Sequence, residues 1–270
     1  MAATGACVAG LCLAAGVASA EWRLDGSLAE TLETSTNRQL QGNDDPAYGT
    51  TTNLNLTVSV LDPRTRWSTT LGVAGAKFFG SGAEPEFDRL DPNFSTAFQH
   101  RLSRWTLGLN GSFDVQPTSA TQVEDTGVTN LDVTQFSSRA NATATLDIDA
   151  RNSATATTTV SAVRFSEDVG TLTATTRYGL DVSWRHAVNR RLSTSLSAGA
   201  AHLLTDNPAR GDTTSAHAAA GVTYSPHPRL RLSASLGPNA SQPQNSNQGD
   251  DKISIGATGA LGLDWRIDNA

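Results

Sequence analysis

The chain has 270 residues, a formal net charge of −6 at pH 7 and a mean hydropathy of −0.29. This length suits one large β domain or two ordinary domains, and the acidic balance makes nucleic acid a poor partner. After the first twenty residues, no stretch approaches the ~20 consecutive apolar residues that a membrane-spanning helix needs.

Residues 1–20 differ in composition from the rest of the chain. They carry no charge, have an apolar centre and end in Ala18-Ser19-Ala20 before Glu21. This ending is typical of a cleaved secretory signal peptide, although no Lys or Arg precedes the apolar centre. Cys7 and Cys12 both lie in this segment. We therefore expect a mature domain over residues 21–270 without disulfides or thiolate metal sites.

From Glu21 onward, apolar and polar residues alternate with a period of two, which predicts β-strands. The clearest strand is predicted over 104–115, where Trp105 and Leu107 share one face and Asn110 and Asp114 share the other. Further strands are predicted over 52–61, 141–149, 153–165, 229–237 and 253–265.

The predicted connections alternate in length along the chain. Short polar turns are predicted near Arg64, Ser103, Arg151, Asn189 and Pro228. Longer loops, rich in Asp and Glu, are predicted over 34–49, 80–92, 116–134, 166–170, 205–212 and 238–251. Together these features predict an all-β fold, an antiparallel up-and-down transmembrane β-barrel of about 12 strands, with short periplasmic turns and longer extracellular loops.

Aromatic residues lie at the predicted strand ends. Those beside short turns or termini are Trp22, Trp67, Trp105, Trp184, Tyr224 and Trp265. A soluble sandwich would place Trp in the middle of strands, whereas a membrane–water interface selects rings at strand ends. These six residues therefore predict an aromatic girdle at the periplasmic rim. A second girdle near the long loops is predicted from Phe78, Phe79, Phe94, Phe136 and Phe165.

Three segments resemble bacterial outer-membrane β-barrels of the beta-barrel porin type, including those that accompany exopolysaccharide systems. They are the opening strand from Trp22 to Leu28 and the hairpin segments over 101–107 and 189–195. The resemblance implies a Gram-negative outer membrane with the loops outside, contact with lipid and lipopolysaccharide, and insertion by the barrel assembly machinery. Such barrels are often longer and usually end their last strand on an aromatic residue, whereas Trp265 is followed by five more residues. Both departures are expected of a sequence truncated at its C-terminus.

The sequence contains no recognisable catalytic or metal-binding motif. Its five histidines form no close pair suited to zinc, and no G-x-S-x-G nucleophile motif occurs. We therefore predict no catalytic residue, no metal and no cofactor, and we predict that the chain is not an enzyme.

If the apolar faces meet lipid, the opposite faces line the lumen. The charged candidates for an electrostatic filter there are Arg177, Asp181, Arg185, Arg231, Asp114 and Asp264. Most other predicted lumen residues are Ser, Thr, Asn or Gly, whose small size favours a water-filled bore at this strand number. The alternative is a bore plugged by Arg–Asp pairs or infolded loops.

The leading functional interpretation is a pore for polar solutes or exported polysaccharide. One alternative is a non-conducting structural or adhesive surface barrel, or an accessory of an exopolysaccharide system. A second alternative is a soluble secreted protein that binds carbohydrate.

Overall fold

The structure is a computed structural model that describes most of the chain. The described residues are 7–17, 20–35, 47–79, 88–118, 133–167, 172–206, 211–227, 229–244 and 252–265. Within these ranges no helix has the length and apolar character needed to cross a membrane.

Nearly all of the described residues belong to strands or to the turns between them. The strands are β1 (Cys7–Val17), β2 (Ala20–Ser35), β3 (Ala47–Leu61), β4 (Thr65–Phe79), β5 (Arg89–Arg101), β6 (Trp105–Pro117), β7 (Thr134–Asp147), β8 (Asn152–Phe165), β9 (Thr175–Ala187), β10 (Leu192–Thr205), β11 (Asp212–His227), β12 (Leu230–Gln244) and β13 (Ser254–Trp265). They form one sheet in chain order, so each strand pairs with its neighbours in sequence.

The twelve strands β2–β13 confirm the predicted number and the predicted up-and-down order. The additional strand β1 lies in the predicted signal peptide and pairs antiparallel with β2, from Cys7 opposite Glu30 to Val17 opposite Ala20. Cleavage after Ala20 remains a prediction.

The chain divides into two compact units. The first unit contains Met1–Phe98, Asn110–Ser138 and Phe165–Asp168, and the second contains Gln99–Leu109, Arg139–Arg164 and Val169–Ala270. In the first unit, β2, β3 and β4 pair over almost their whole lengths. In the second unit, an antiparallel register runs from β8 to β13.

All five short turns lie where the alternation predicts them, between β3 and β4, β5 and β6, β7 and β8, β9 and β10, and β11 and β12. Three of them are closed in the same way, since the side-chain oxygen of the first Asp or Asn accepts the backbone N–H two residues later. The distances are 3.1 Å for Asp62, 2.7 Å for Asp149 and 2.8 Å for Asn189. Such local side-chain bonds are the reason that Asp and Asn favour turns.

The loop predicted over 238–251 is shorter than the sequence indicates. Residues 238–244 belong to β12, because β12 pairs with β11 as far as Gln244, opposite Asp212. Pro238 and Pro243 weaken the strand pattern in the sequence, since proline donates no ladder hydrogen bond. Pairing on both sides of β12 outweighs this local signal.

The large apolar side chains are mostly exposed. Among the described residues, only Ala76, Phe78 and Val133 are buried apolar residues. On β9, Tyr178, Leu180, Val182 and Trp184 share one face and all are exposed, and the same is true of Leu107, Leu109 and Phe113 on β6. Exposed apolar patches of this extent mark a surface that meets another apolar phase.

The second aromatic girdle needs one correction. Phe78 is only 6% exposed, whereas Phe79 is 53% exposed. Neighbouring residues of a strand point to opposite faces, so both rings cannot face the same surroundings. The Phe78 ring lies over Gly49, where a Cβ atom would collide with it. The prediction that Phe78 belongs to a girdle is therefore wrong.

Candidate functional site

The candidate site is the face of the strands that is opposite the exposed apolar side chains; we call it the polar face. In the second unit, the register defines it across the six strands β8–β13. It consists mainly of Gly, Ala, Ser and Thr, as the cross-strand set Ser183, Ser197 and Ala219 illustrates. Because these side chains are small, they leave space above the sheet.

Three of the predicted filter residues lie on the polar face of one strand. Arg177, Asp181 and Arg185 occupy every fourth position of β9 and are all exposed. Consecutive members are about 13 Å apart at ~3.3 Å per residue, so they do not form ion pairs with one another. Arg185 Nη2 donates to Ser193 Oγ at 3.3 Å, which fixes its guanidinium near the short-turn end of β10.

Two more predicted filter residues are brought together by the fold. Arg231 on β12 and Asp264 on β13 are direct cross-strand partners on the polar face. The sixth, Asp114, lies on β6 within the first unit. The role of all six as a selectivity filter remains a prediction.

Sequence reasoning missed a residue that the structure places beside Asp181. His217 Nε2 lies 3.2 Å from Asp181 Oδ1, although one residue is on β11 and the other on β9. The contact crosses β10 at Gly199, which is the register partner of both residues. The stretch around His217 is Ser-Ala-His-Ala-Ala-Ala. Because apolar and polar positions differ little in this stretch, the sequence does not indicate which face of the strand the histidine occupies.

The first unit contains a comparable arrangement. A Cβ atom on Gly72 of β4 would collide with the side-chain amides of Asn55 on β3 and Asn93 on β5. Glycine on the polar face thus lets the side chains of both neighbouring strands lean toward each other.

The predicted girdle residues lie at the short-turn ends of their strands. Trp22, Trp105, Trp184, Tyr224 and Trp265 are exposed, and Trp67 is half-buried. The rings of Trp22 and Trp67 meet edge to face with centroids 6.3 Å apart. The Trp184 ring stacks on the His186 ring at 5.8 Å. Their assignment to the membrane interface remains a prediction.

Two carboxyl groups outside the strands have lowered pKa values. The backbone N–H of Phe78 donates to Asp88, and with the Lys77 ammonium at 3.2 Å it lowers the pKa of this carboxyl. The backbone N–H of Arg151 and the Asn152 side chain lower the pKa of Asp149 in the same way. Asp88 is thereby held against the end of β4, and Asp149 is bonded within the short turn between β7 and β8.

In the part of the chain that the structure describes, no cluster of three or more His, Cys, Asp or Glu side chains could hold a metal ion.

These features fit the predicted transmembrane β-barrel. The strands contain 12 to 16 residues from β2 onward, more than the ~9–11 that a tilted transmembrane strand needs. One face is apolar and exposed while the other is polar. The predicted fold class, an all-β antiparallel up-and-down arrangement of about twelve strands, is confirmed, and the location in the outer membrane, with contacts to lipid and lipopolysaccharide, remains a prediction.

Solved structures of outer-membrane proteins are similar to this chain. No protein-family model and no curated protein matches it. Outer-membrane expressed OmpT of Vibrio cholerae is 10% identical, with a TM-score of 0.49, over 94% of this chain and 99% of that chain. The in-vitro folded trimer form of this OmpT is 10% identical, with a TM-score of 0.48, over 92% of this chain and 91% of that chain. LpxR from Salmonella typhimurium is 14% identical, with a TM-score of 0.34, over 89% and 100% of the two chains.

One prediction is corrected by these matches. The prediction that the chain is not an enzyme is wrong as an exclusion, because the matches include an outer-membrane enzyme, LpxR. A missing catalytic motif in the sequence does not decide whether the chain is an enzyme.

Proposed function

We propose that the protein is a pore for polar solutes, of the porin type, and that its polar faces line the lumen. The observation that supports this proposal most strongly is the composition of the polar face in the second unit. Ser, Thr and Gly predominate there, and they neither fill a bore nor form a dry core as Leu or Phe would. A barrel of about twelve strands lies between the filled small barrels and the open porins in size.

The charges on the polar face are of both signs, which supports weak selectivity between cations and anions. Three arginines and two aspartates of the second unit, Arg177, Arg185, Arg231, Asp181 and Asp264, lie on this face. Rings of one charge sign select strongly for the opposite ion, whereas mixed charges select weakly. We therefore expect passage of neutral and weakly charged solutes, and short segments of an exported polysaccharide belong to this class.

The proposal includes an orientation, with the short turns in the periplasm and the longer connections outside. Basic residues near the short turns and acidic residues in the longer connections distinguish the two ends in the sequence. The barrel assembly machinery is the partner that this architecture requires for insertion.

The test is conductance in planar lipid bilayers with full-length protein purified from outer membranes. We expect discrete channel steps. A shift of the reversal potential toward cation preference is expected for Arg231→Gln, because it leaves Asp264 as the charge of that register pair. Arg191→Gln, the same change in the exposed turn between β9 and β10, is the matched control and should leave the potential unchanged. Folded protein that gives no channel steps would overturn the pore in favour of a non-conducting surface barrel.

A further inference from the structure

We propose that Asp181, His217 and Asn239 form a binding site for a neutral sugar ring on the polar face of the second unit. The inference rests on the proposed pore, since it names a class of solute that the polar face would hold in passing. All parts of the site lie on consecutive strands of one unit.

The site is built on a single cross-strand row. Gly199 on β10 is opposite Asp181 on one side and opposite His217 on the other. His217 is in turn opposite Asn239 on β12, and Asn239 is opposite Gly256 on β13. The row therefore contains two glycines, Gly199 between Asp181 and His217 and Gly256 beside Asn239, and the side chains of these polar neighbours extend over them.

Gly199 is essential to this geometry. A Cβ atom at this position would collide with both the Asp181 carboxylate and the His217 ring. Because glycine is present, the two side chains meet across β10 at 3.2 Å. Their side chains remain 54% and 46% exposed, so a solute on this face can reach them.

Asn239 adds unused hydrogen-bonding capacity. Its carboxamide lies against Gly256, where a Cβ atom would come within 2.7 Å of Oδ1. This oxygen is shielded from solvent and accepts no hydrogen bond from the residues that the structure describes. Buried polar groups normally have a partner, so a small rotation of this amide toward a bound hydroxyl group is favourable.

The chemistry of the three groups favours a neutral ligand with neighbouring hydroxyls. Carboxylate oxygens accept, a carboxamide both donates and accepts, and a histidine ring nitrogen takes either role. Hydroxyl groups of a sugar match this set because each can donate and accept. The carboxylate disfavours anions, whereas the hydroxyl groups of a sugar satisfy these donors and acceptors without bringing a charge. The hydroxyl of Thr157, the register partner of Asp181 on β8, extends the surface.

Binding of maltohexaose to the detergent-solubilised full-length protein, measured by saturation-transfer NMR and titration calorimetry, tests the proposal. We expect saturable binding that is about tenfold weaker in Asp181→Ala, the effect of losing a charged hydrogen-bonding group. Gly199→Ala should weaken binding similarly, because its methyl group separates Asp181 from His217. His217→Gln should have a smaller effect, since an amide can replace one ring nitrogen.

Two matched control variants distinguish loss of the binding site from a general loss of structure. His202→Gln changes a histidine on the opposite face of β10, where Nδ1 bonds Thr214 Oγ1 at 2.9 Å. Gly72→Ala fills the comparable glycine of the first unit. Both should bind as the wild type does. Heat-modifiable gel mobility establishes that each variant is folded, and Asp181→Asn, which conserves shape, replaces Asp181→Ala or Gly199→Ala if either is not folded.

The outcomes separate the site from the pore. Saturable binding that depends on Asp181 but without channel steps would support the site and overturn the pore. Channel steps with no maltohexaose binding, or with equal binding in wild type and Asp181→Ala, would overturn the site and leave the pore intact. Equal losses in Gly199→Ala and Gly72→Ala would also overturn it, because a local site requires them to differ.

Discussion

At the scale of single residues, two of the short turns share the same hydrogen bonds between an Asp or Asn side-chain oxygen and backbone N–H groups. Asp149 Oδ1 accepts from the backbone N–H groups of Arg151 and Asn152 at 2.7 and 2.9 Å. Asn189 Oδ1 accepts from the equivalent two groups of the next short turn at 2.8 and 2.9 Å. The geometry is the same, but only the carboxylate titrates.

This difference predicts the pH dependence of one turn. The pKa of Asp149 is lowered by the folded turn, so its contribution to stability is present above the usual Asp pKa and is lost as pH falls through the lowered value. The free energy of unfolding should therefore fall more steeply in the wild type than in Asp149→Asn between neutral pH and about pH 2. Urea unfolding followed by tryptophan fluorescence measures this.

The control is the neighbouring turn. Asn189→Asp introduces a titrating group into the same geometry and should steepen the acid dependence. Parallel pH profiles for wild type and Asp149→Asn would show that the turn carboxylate contributes nothing measurable.

At the scale of one element, β10 shows how a strand separates lipid from the polar face. Leu196 is 54% exposed on the apolar face, and the next residue, Ser197, lies on the polar face opposite Ser183 and Ala219. A shift of register by one residue would exchange these two environments. The pairing on both sides of β10 fixes the register.

A pair of arginine substitutions tests this assignment. Leu196→Arg should lower the free energy of unfolding in lipid vesicles by about 2–4 kcal/mol, because a charge near the bilayer midplane must be desolvated. Ser197→Arg should cost less than about 1 kcal/mol, since its neighbours are small and its surroundings are polar. Equal costs for the two variants, measured by reversible urea unfolding, would contradict the assigned faces.

At the scale of the whole molecule, the proposed orientation has a direct consequence for labelling. Asp206 begins a longer connection and is exposed beside Arg164, whereas Arg190 lies in the short turn between β9 and β10. In intact cells, a polyethylene-glycol maleimide too large for a pore should label Asp206→Cys and leave Arg190→Cys unlabelled.

Both cysteine variants should be labelled in detergent, which is the control for reactivity. The two native cysteines lie in the predicted signal peptide, so labelling of the mature wild type should be absent. Labelling of Arg190→Cys alone in intact cells would reverse the orientation.

The sequence alone was sufficient for the strand number, the five short turns and the position of the aromatic residues at strand ends. Each of these is a local property: period-two alternation sets which residues share a face, and Asp, Asn and Pro mark the turns. The same alternation placed Arg177, Asp181 and Arg185 on one face of β9. It did not exclude catalysis.

Tertiary structure decided what depends on register between strands. Residues 181, 199 and 217 are 18 positions apart in turn, and only the pairing of β9, β10 and β11 places them in one row. The extension of β12 to Gln244 and the burial of Phe78 over Gly49 have the same origin. Cross-strand contacts depend on the sum of turn geometry and bulges along the chain, which no single segment encodes. The contact between Asp181 and His217 was therefore visible only in the folded sheet.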